Sequence, residues 1–198
     1  MIKRIVPDRC WAAIIDVQEF FLSAIGERRR SRIEANIANF ARLLGYFRIP
    51  IVVTLERPLS RKGSVPKGIK RHLDRRTEFF EKDFFDLTRE KTIRDYLPRM
   101  KKKQVILAGC ETDVCVLQSS LGLLDLNYEV YVVEDLVFSA SRNVAPAIAR
   151  MQSAGAVFLT YKTLYYELTA AVDGGEYGDA MAARFGPFPN DLPDTTES

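Results

Sequence analysis

Histidine and cysteine are scarce in this chain of 198 residues, which has one histidine, His72, and three cysteines. A zinc site with several histidines is therefore excluded, and any serine–histidine or cysteine–histidine mechanism would depend on His72. The number of cysteines is odd, and the start MIKRIVPDRCWAAII has too few apolar residues before its charges for a signal peptide. We therefore expect a cytoplasmic protein with reduced thiols.

Long apolar runs are also missing. No segment approaches the roughly 20 uninterrupted apolar residues of a membrane span, so we expect no membrane partner. The formal net charge is only +3, and the chain length suits one domain that folds without disulfides or a structural metal. We predict a single domain over 1–185. The proline-rich and acidic run after Phe185 predicts a mobile or subunit-contacting tail over 186–198.

Short apolar runs alternate along the chain with longer segments of helical period. The short runs are β-branched and apolar on both faces, which is typical of buried parallel strands. This alternation predicts an α/β fold, a three-layer α/β/α sandwich with a mostly parallel sheet of about six strands that binds ligands at the carboxyl ends of its strands. The strands that can be assigned are 11–15, 49–55, 104–108, 129–133 and 156–159. The predicted helices are 31–47, 88–97, 112–126, 143–154 and 163–171.

Two side chains follow predicted strands at positions where a ligand would bind. Asp16 comes directly after the first strand, although a turn cap at the strand exit explains this position equally well. Cys115 is expected in the first turn of a helix that Thr112 begins, where free N–H groups and the helix dipole would lower the thiol pKa. The other interpretation of Cys115 is a small buried hydrophobic residue, which is the one we favour for Cys10 and Cys110.

A cysteine nucleophile needs a proton acceptor and a positive group near the developing oxyanion. Because His72 lies in a polar, basic segment, a carboxylate and a lysine are the natural substitutes for an imidazole. Lys82 is the best lysine for this role, because it stands among aromatic residues that favour burial, although a snorkelling surface lysine is also compatible with the pattern. The neighbouring aromatic residues are Phe79, Phe80, Phe84 and Phe85.

The runs DVQEFF, EKDFFDLT and AGCETDVCV together resemble the isochorismatase-like, or cysteine hydrolase, superfamily. This superfamily includes nicotinamidases, carbamoylsarcosine amidohydrolases and ureide hydrolases. The resemblance runs from about Trp11 to Glu167, and AGCETDVCV is its most specific part, since the glycine, the TD pair and the cysteine fall at the family spacing. It implies that Asp16 is the general base, that Lys82 stabilises the thiolate and orients the aspartate, and that Cys115 is the nucleophile.

The resemblance also implies the groups around the nucleophile. It implies a cis peptide bond between Cys110 and Glu111, which would combine the N–H of Glu111 with that of Cys115 in an oxyanion hole. The pattern D-x-Q-x-x-F is present after the first strand. The residues expected in the substrate pocket are Gln18, Phe21, Glu56 and Thr112.

Two departures from relatives narrow the expected chemistry. Nicotinamidases carry an Asp-x-His metal motif after the second strand, where this chain reads VVTLERPLS. We therefore expect no metal and no cofactor, and we place the chain in the metal-free branch. Isochorismatases proper cleave a vinyl ether and lack the cysteine, so the cysteine favours acyl chemistry at a C–N bond.

The leading hypothesis is a cysteine amidohydrolase that cleaves an amide, carbamoyl or ureide bond of a small molecule, in a homo-oligomer that is a dimer or a tetramer. One alternative is a ligand-binding or redox-sensing module without turnover, and another is a vinyl-ether hydrolase. Nucleic-acid binding through the basic segments 57–76 and 28–32 is disfavoured, because aromatic residues seldom interleave with the basic ones and the acidic tail offsets their charge.

Overall fold

The computed structural model describes residues 4–170, which form a six-stranded parallel sheet with helices on both faces. The strands are β1 (Cys10–Ile15), β2 (Ile51–Glu56), β3 (Thr77–Lys82), β4 (Gln104–Cys110), β5 (Glu129–Phe138) and β6 (Val157–Leu159). The helices are α1 (Glu19–Ser23), α2 (Glu27–Tyr46), α3 (Leu59–Lys62), α4 (Lys67–Lys70), α5 (Lys91–Tyr96), α6 (Leu117–Asp125), α7 (Ala145–Ala154) and α8 (Tyr161–Thr169). Within this part of the chain no helix is long and apolar enough to cross a bilayer.

The side chains of β1 alternate between two apolar layers, one on each face of the sheet. Ile14 packs in the layer that contains Phe40 of α2 and Leu164 of α8. Ile15 packs in the opposite layer with Leu123 of α6. Since each fully buried aliphatic side chain contributes about 1.5–3 kcal/mol, burial on both faces makes β1 the centre of the core. The predicted three-layer α/β/α sandwich is confirmed.

The strand order β3-β2-β1-β4-β5-β6 indicates where on the sheet a ligand would bind. From β1 the chain first winds outward to β2 and β3, and then returns to β4 on the other side of β1 before winding outward again. The carboxyl ends of β1 and β4 therefore flank the point where the winding direction reverses. Such a switch point opens a crevice in which α/β proteins bind their ligands.

Strand β3 was missed by the sequence analysis. It lies at the edge of the sheet, pairs with β2, and alternates irregularly between exposed and partly buried residues until Lys82, its only buried residue. An edge strand of this kind lacks the continuous apolar run by which the other strands were recognised. The basic segment 57–76 contains the two short helices α3 and α4.

Other element boundaries differ from the predicted ones near the site. The predicted helix over 112–126 begins with a π-helical turn, Thr112–Val116, and becomes α-helical at Leu117. The predicted helix over 88–97 consists of a 3-10 turn, α5 and a second 3-10 turn that contains Pro98. The tail predicted over 186–198 lies outside the described residues.

Candidate active site

Asp16 lies at the carboxyl end of β1 with its side chain fully buried. Its backbone has a φ of 51°, and its N–H donates to the carbonyl oxygen of Thr54 at 3.1 Å. The carboxylate accepts a hydrogen bond from the Thr54 hydroxyl (2.8 Å, Oδ1) and lies 2.7 Å from the Lys82 ammonium (Oδ2). The carboxylate therefore faces β2 and β3 and does not cap the turn after β1.

Lys82, the last residue of β3, is also fully buried. Besides Asp16, its ammonium contacts the Cys115 sulfur at 3.6 Å and donates to the carbonyl oxygen of Phe84 at 3.1 Å. The phenylalanines nearby do not enclose it, because Phe84 and Phe85 are 44% and 49% exposed. Lys82 is buried because the alternation of the edge strand turns it inward, toward the carboxyl ends of β1 and β2.

Cys115 reaches the same point from β4 through the π-helical turn Thr112–Val116. Gly109, near the end of β4, has a φ of 118°, and a β-carbon there would lie 2.0 Å from the Ile15 carbonyl oxygen. Only glycine allows this close approach between the ends of β1 and β4. Cys115 is only 2% exposed, and its thiol donates a hydrogen bond to Glu56 Oε2 at 3.3 Å.

The turn before Cys115 has the backbone form that the resemblance implies. The peptide bond between Cys110 and Glu111 is cis. The Cys110 thiol donates to the Asp16 carbonyl oxygen at 3.0 Å, whereas the Glu111 carboxylate accepts from Ser139 and from the Ala140 N–H, so it faces the end of β5. The assignment of the oxyanion hole to the N–H groups of Glu111 and Cys115 stays a prediction.

The expected pocket residues occupy different environments. Gln18 is fully buried. Its side-chain amide donates to the carbonyl oxygens of Glu56 and Gly63 and accepts a hydrogen bond from the Glu56 N–H. It therefore fixes the turn between β2 and α3 and has its hydrogen-bonding groups occupied. Phe21 is partly buried against the core, and its ring lies 5.7 Å from the Lys62 ammonium. Thr112 is buried at the start of the π-helical turn.

Lys62 is a site residue that the sequence analysis missed. It ends α3, is only 8% exposed, and forms an ion pair with Glu56 Oε1. In the sequence it is one of eight cations of the basic segment 57–76 and has no distinguishing neighbour. Other cations of this segment have partners on the surface; Arg57, for instance, pairs with Glu81 and Asp83.

The buried pair of Asp16 and Lys82 has shifted proton affinities. Burial raises the pKa of Asp16, because desolvation disfavours the charged carboxylate, and Lys82 offsets only part of this effect. Burial by itself would lower the pKa of Lys82, but the negative charges of Asp16 and Glu56 help to outweigh it, so that pKa is raised. The raised pKa makes Asp16 a stronger proton acceptor than an exposed aspartate, and the raised pKa of Lys82 favours its protonated form.

The pKa of the Cys115 thiol is raised, whereas the sequence analysis predicted a lowered one. Burial is the largest cause and the negative charge of Asp16 adds to it, while Lys82 opposes both. The prediction from the helix start is wrong because desolvation and two neighbouring carboxylates outweigh the helix dipole. Burial would raise the pKa of Glu56 too, but hydrogen bonds from Lys62 and Cys115 overcome it, and that pKa is lowered.

One group of side chains among residues 4–170 has the spacing of metal ligands. The ligand atoms of Asp16, Glu56 and Cys115 all lie within 4.8 Å of one another. The ammonium of Lys82 lies 2.7 Å from Asp16 and 3.8 Å from Glu56, so it already supplies the positive charge of this cluster. His72 accepts a hydrogen bond from the Arg71 guanidinium at 3.1 Å and does not bond the Cys115 thiol.

Together, the fold and the cluster define the class of protein. A doubly wound parallel sheet carries a buried carboxylate, lysine and cysteine beside its switch point, the arrangement expected of a cysteine hydrolase-like α/β protein. Residues 11–163 match the family model of the isochorismatase domain. The chain belongs to the isochorismatase family, and the resemblance drawn from its motifs is confirmed.

Similar proteins cover most of this chain. A secreted isochorismatase effector, Isc1, of Phytophthora sojae is 31% identical over 179 residues, which are 88% of this chain and 83% of the relative. The MAR1 ribonuclease of Caenorhabditis elegans is 28% identical with a TM-score of 0.82, covering 96% of this chain and 98% of that one. The octameric YcaC hydrolase of Escherichia coli, of unknown specificity, shares the fold (TM-score 0.85, 21% identity, coverage 97% and 95%). Since the Phytophthora relative is secreted, a cytoplasmic location stays an expectation.

Proposed function

We propose that the protein is a hydrolase that cleaves a C–N bond of a small amide, carbamoyl or ureide substrate through an acyl-cysteine intermediate. The observation that carries the proposal is the contact of one buried ammonium with both reactive groups. Lys82 Nζ lies 2.7 Å from Asp16 Oδ2 and 3.6 Å from Cys115 Sγ. This geometry supports a base, a cation and a nucleophile that act together.

In the proposed reaction, Asp16 accepts the thiol proton as the Cys115 sulfur attacks the substrate carbonyl carbon. The backbone N–H groups of Glu111 and Cys115 hold the resulting oxyanion, and the positive charge of Lys82 stabilises the thiolate. When the C–N bond breaks, Asp16 returns the proton to the departing amine. Water, deprotonated by Asp16, then attacks the thioester, which releases the acid and restores the thiol.

The site disfavours the redox-sensing alternative. Sensor cysteines are accessible and have a lowered thiol pKa, whereas Cys115 is 2% exposed and has a raised one. A vinyl-ether hydrolase needs a general acid rather than a nucleophile, so it would use Asp16 in its protonated form and have no need of the thiol. Dependence on the sulfur therefore separates these two chemistries.

We also propose that the protein is a homo-oligomer. Large aromatic side chains are exposed on and near β3: Phe79, Phe84 and Phe85 are 42–49% exposed. Such residues are enriched at protein interfaces. The E. coli relative is described as octameric, an assembly larger than the dimer or tetramer expected from the sequence.

A panel of amides, carbamates and ureides, with release of ammonia or amine as the readout, tests the proposed function. We expect turnover that iodoacetamide abolishes and that Cys115→Ala and Asp16→Asn reduce by at least about 100-fold, the usual contribution of a catalytic proton-transfer group. Cys10→Ser is the matched control and should keep its activity, because Cys10 bonds Gln104 at the opposite end of β1.

Two results would contradict the proposal. Full turnover by Cys115→Ala on a confirmed C–N substrate would exclude the covalent mechanism. The substrate panel also contains RNA, because the C. elegans relative is described as a ribonuclease. RNA cleavage that persists in Cys115→Ala, together with a silent amide panel, would replace the proposed activity with a nuclease.

A further inference from the structure

The Cys115 sulfur lies between two lysine–carboxylate pairs, of which the proposed mechanism uses only one. Asp16 and Lys82 form the first pair. Glu56, the last residue of β2, and Lys62, the last residue of α3, form the second. Both members of the second pair are nearly buried, with side-chain exposures of 12% for Glu56 and 10% for Lys62.

The two oxygens of Glu56 have separate partners. Oε1 is held by the Lys62 ammonium, and Oε2 accepts the hydrogen bond of the Cys115 thiol at 3.3 Å. The backbone of Glu56 is fixed as well, because its N–H and its carbonyl oxygen both bond the buried amide of Gln18. The acceptor of the thiol proton is therefore held by a side-chain anchor and by a backbone anchor.

Asp16, in contrast, has its own hydrogen-bond donor at Oδ1 and its own cation at Oδ2. Oδ1 accepts from the Thr54 hydroxyl, and Oδ2 lies 2.7 Å from Lys82. In this arrangement the thiol proton faces Glu56, although the Asp16 carboxylate is within 4.8 Å of the same sulfur. The S–H bond must therefore turn from Glu56 toward Asp16 before Asp16 can accept the proton.

We propose that Glu56 is a further catalytic residue, which keeps the Cys115 thiol protonated and oriented in the resting enzyme, and that Lys62 is a positioning residue that holds Glu56 in place. This inference rests on the proposed function, since it takes Cys115 as the nucleophile. In the reaction, the S–H bond breaks, the proton passes to Asp16, and the hydrogen bond to Glu56 is released.

The charges around the sulfur agree with this role. The carboxylates of Asp16 and Glu56 both raise the thiol pKa, and Lys82 opposes them. Glu56 itself has a lowered pKa, to which Lys62 and Lys82 contribute, so it stays ionised through neutral pH. A substitution that removes the Glu56 charge but keeps a hydrogen-bond acceptor should therefore lower the Cys115 thiol pKa and make the thiolate easier to form.

The pH dependence of Cys115 alkylation by iodoacetamide, followed by intact mass without any substrate, tests the proposal. We expect Glu56→Gln to be alkylated about tenfold faster than the wild type below the thiol pKa, which corresponds to a pKa lowered by about one unit, and yet to turn over substrate more slowly. Lys62→Met leaves Lys82, 3.8 Å away, as the cation beside Glu56, and should be alkylated more slowly at alkaline pH because the Glu56 charge is less compensated. Lys62→Arg should restore the wild-type profile.

Cys115→Ser provides the background from the two other thiols, and Lys67→Met is the matched control on the neighbouring helix α4. Unchanged profiles in both Glu56→Gln and Lys62→Met, or shifts of the opposite sign, would overturn the inference. The alkylation assay needs no turnover. If the shifts occur but no amide is cleaved, the proposed function fails while the control of the thiol by Glu56 stands.

Discussion

Two groups of ion pairs at the β2–β3 side of the sheet differ in their access to water. Asp16 and Lys82 are fully buried at 2.7 Å. Arg57 pairs with Glu81 and Asp83, but the three side chains are 43–63% exposed. All these residues lie on or next to adjacent strands, yet only the buried charges lack water as an alternative partner. Burial therefore decides how strongly each pair interacts, because water screens the exposed charges and cannot screen the buried ones.

Among the substitutions that test this comparison, Lys82→Met should have the largest effect on stability. It leaves the Asp16 carboxylate buried without its cation, which typically costs about 3–5 kcal/mol of unfolding free energy. The loss should be smaller in acid, because burial already raises the pKa of Asp16 and a protonated carboxyl group needs no counter-ion. Urea unfolding at several pH values measures the change.

The double variant Asp16→Asn with Lys82→Met is the control for that experiment, because it also removes the buried carboxylate that has lost its cation. The double variant should regain much of the stability that Lys82→Met loses. If Lys82→Met is as stable as the wild type in mildly alkaline solution, the buried pair does not have the electrostatic coupling that we assign to it.

The smallest effect is expected for Arg57→Ala. Its ion pairs are exposed, and exposed pairs often contribute nothing measurable to stability. We expect an unchanged midpoint of thermal unfolding and unchanged alkylation of Cys115. A clear shift of the alkylation profile would mean that surface charge reaches the thiol, and the contrast between the two groups of pairs would be lost.

The sequence predicted the centre of the molecule better than its edge. β1 and β4 are continuous apolar runs, so their ends, and with them Asp16 and the turn that leads to Cys115, could be located by pattern. β3 is a half-exposed edge strand, and its pattern does not separate it from a loop. Lys82 was selected because of its aromatic neighbours, but its burial comes from its place at the end of that strand.

Two properties of the site depend on three-dimensional distances that no motif expresses. Lys62 looks like any other cation of the basic segment 57–76 until α3 turns it toward Glu56. The direction of the Cys115 pKa shift depends on burial and on two carboxylates from other strands. A position near a helix start predicts the opposite direction, but at this site burial and tertiary contacts have the larger effect on the thiol pKa.

The most direct test of the central claim is intact-mass analysis of the protein during reaction with amides, carbamates and ureides. We predict a transient mass increase equal to the acyl group of the substrate, which peptide mapping should locate on Cys115. No thioester adduct should form in Cys115→Ser, because that variant lacks the sulfur. Turnover of a C–N substrate with no acyl adduct at any time, in rapidly quenched samples of wild type and of Asp16→Asn alike, would contradict it.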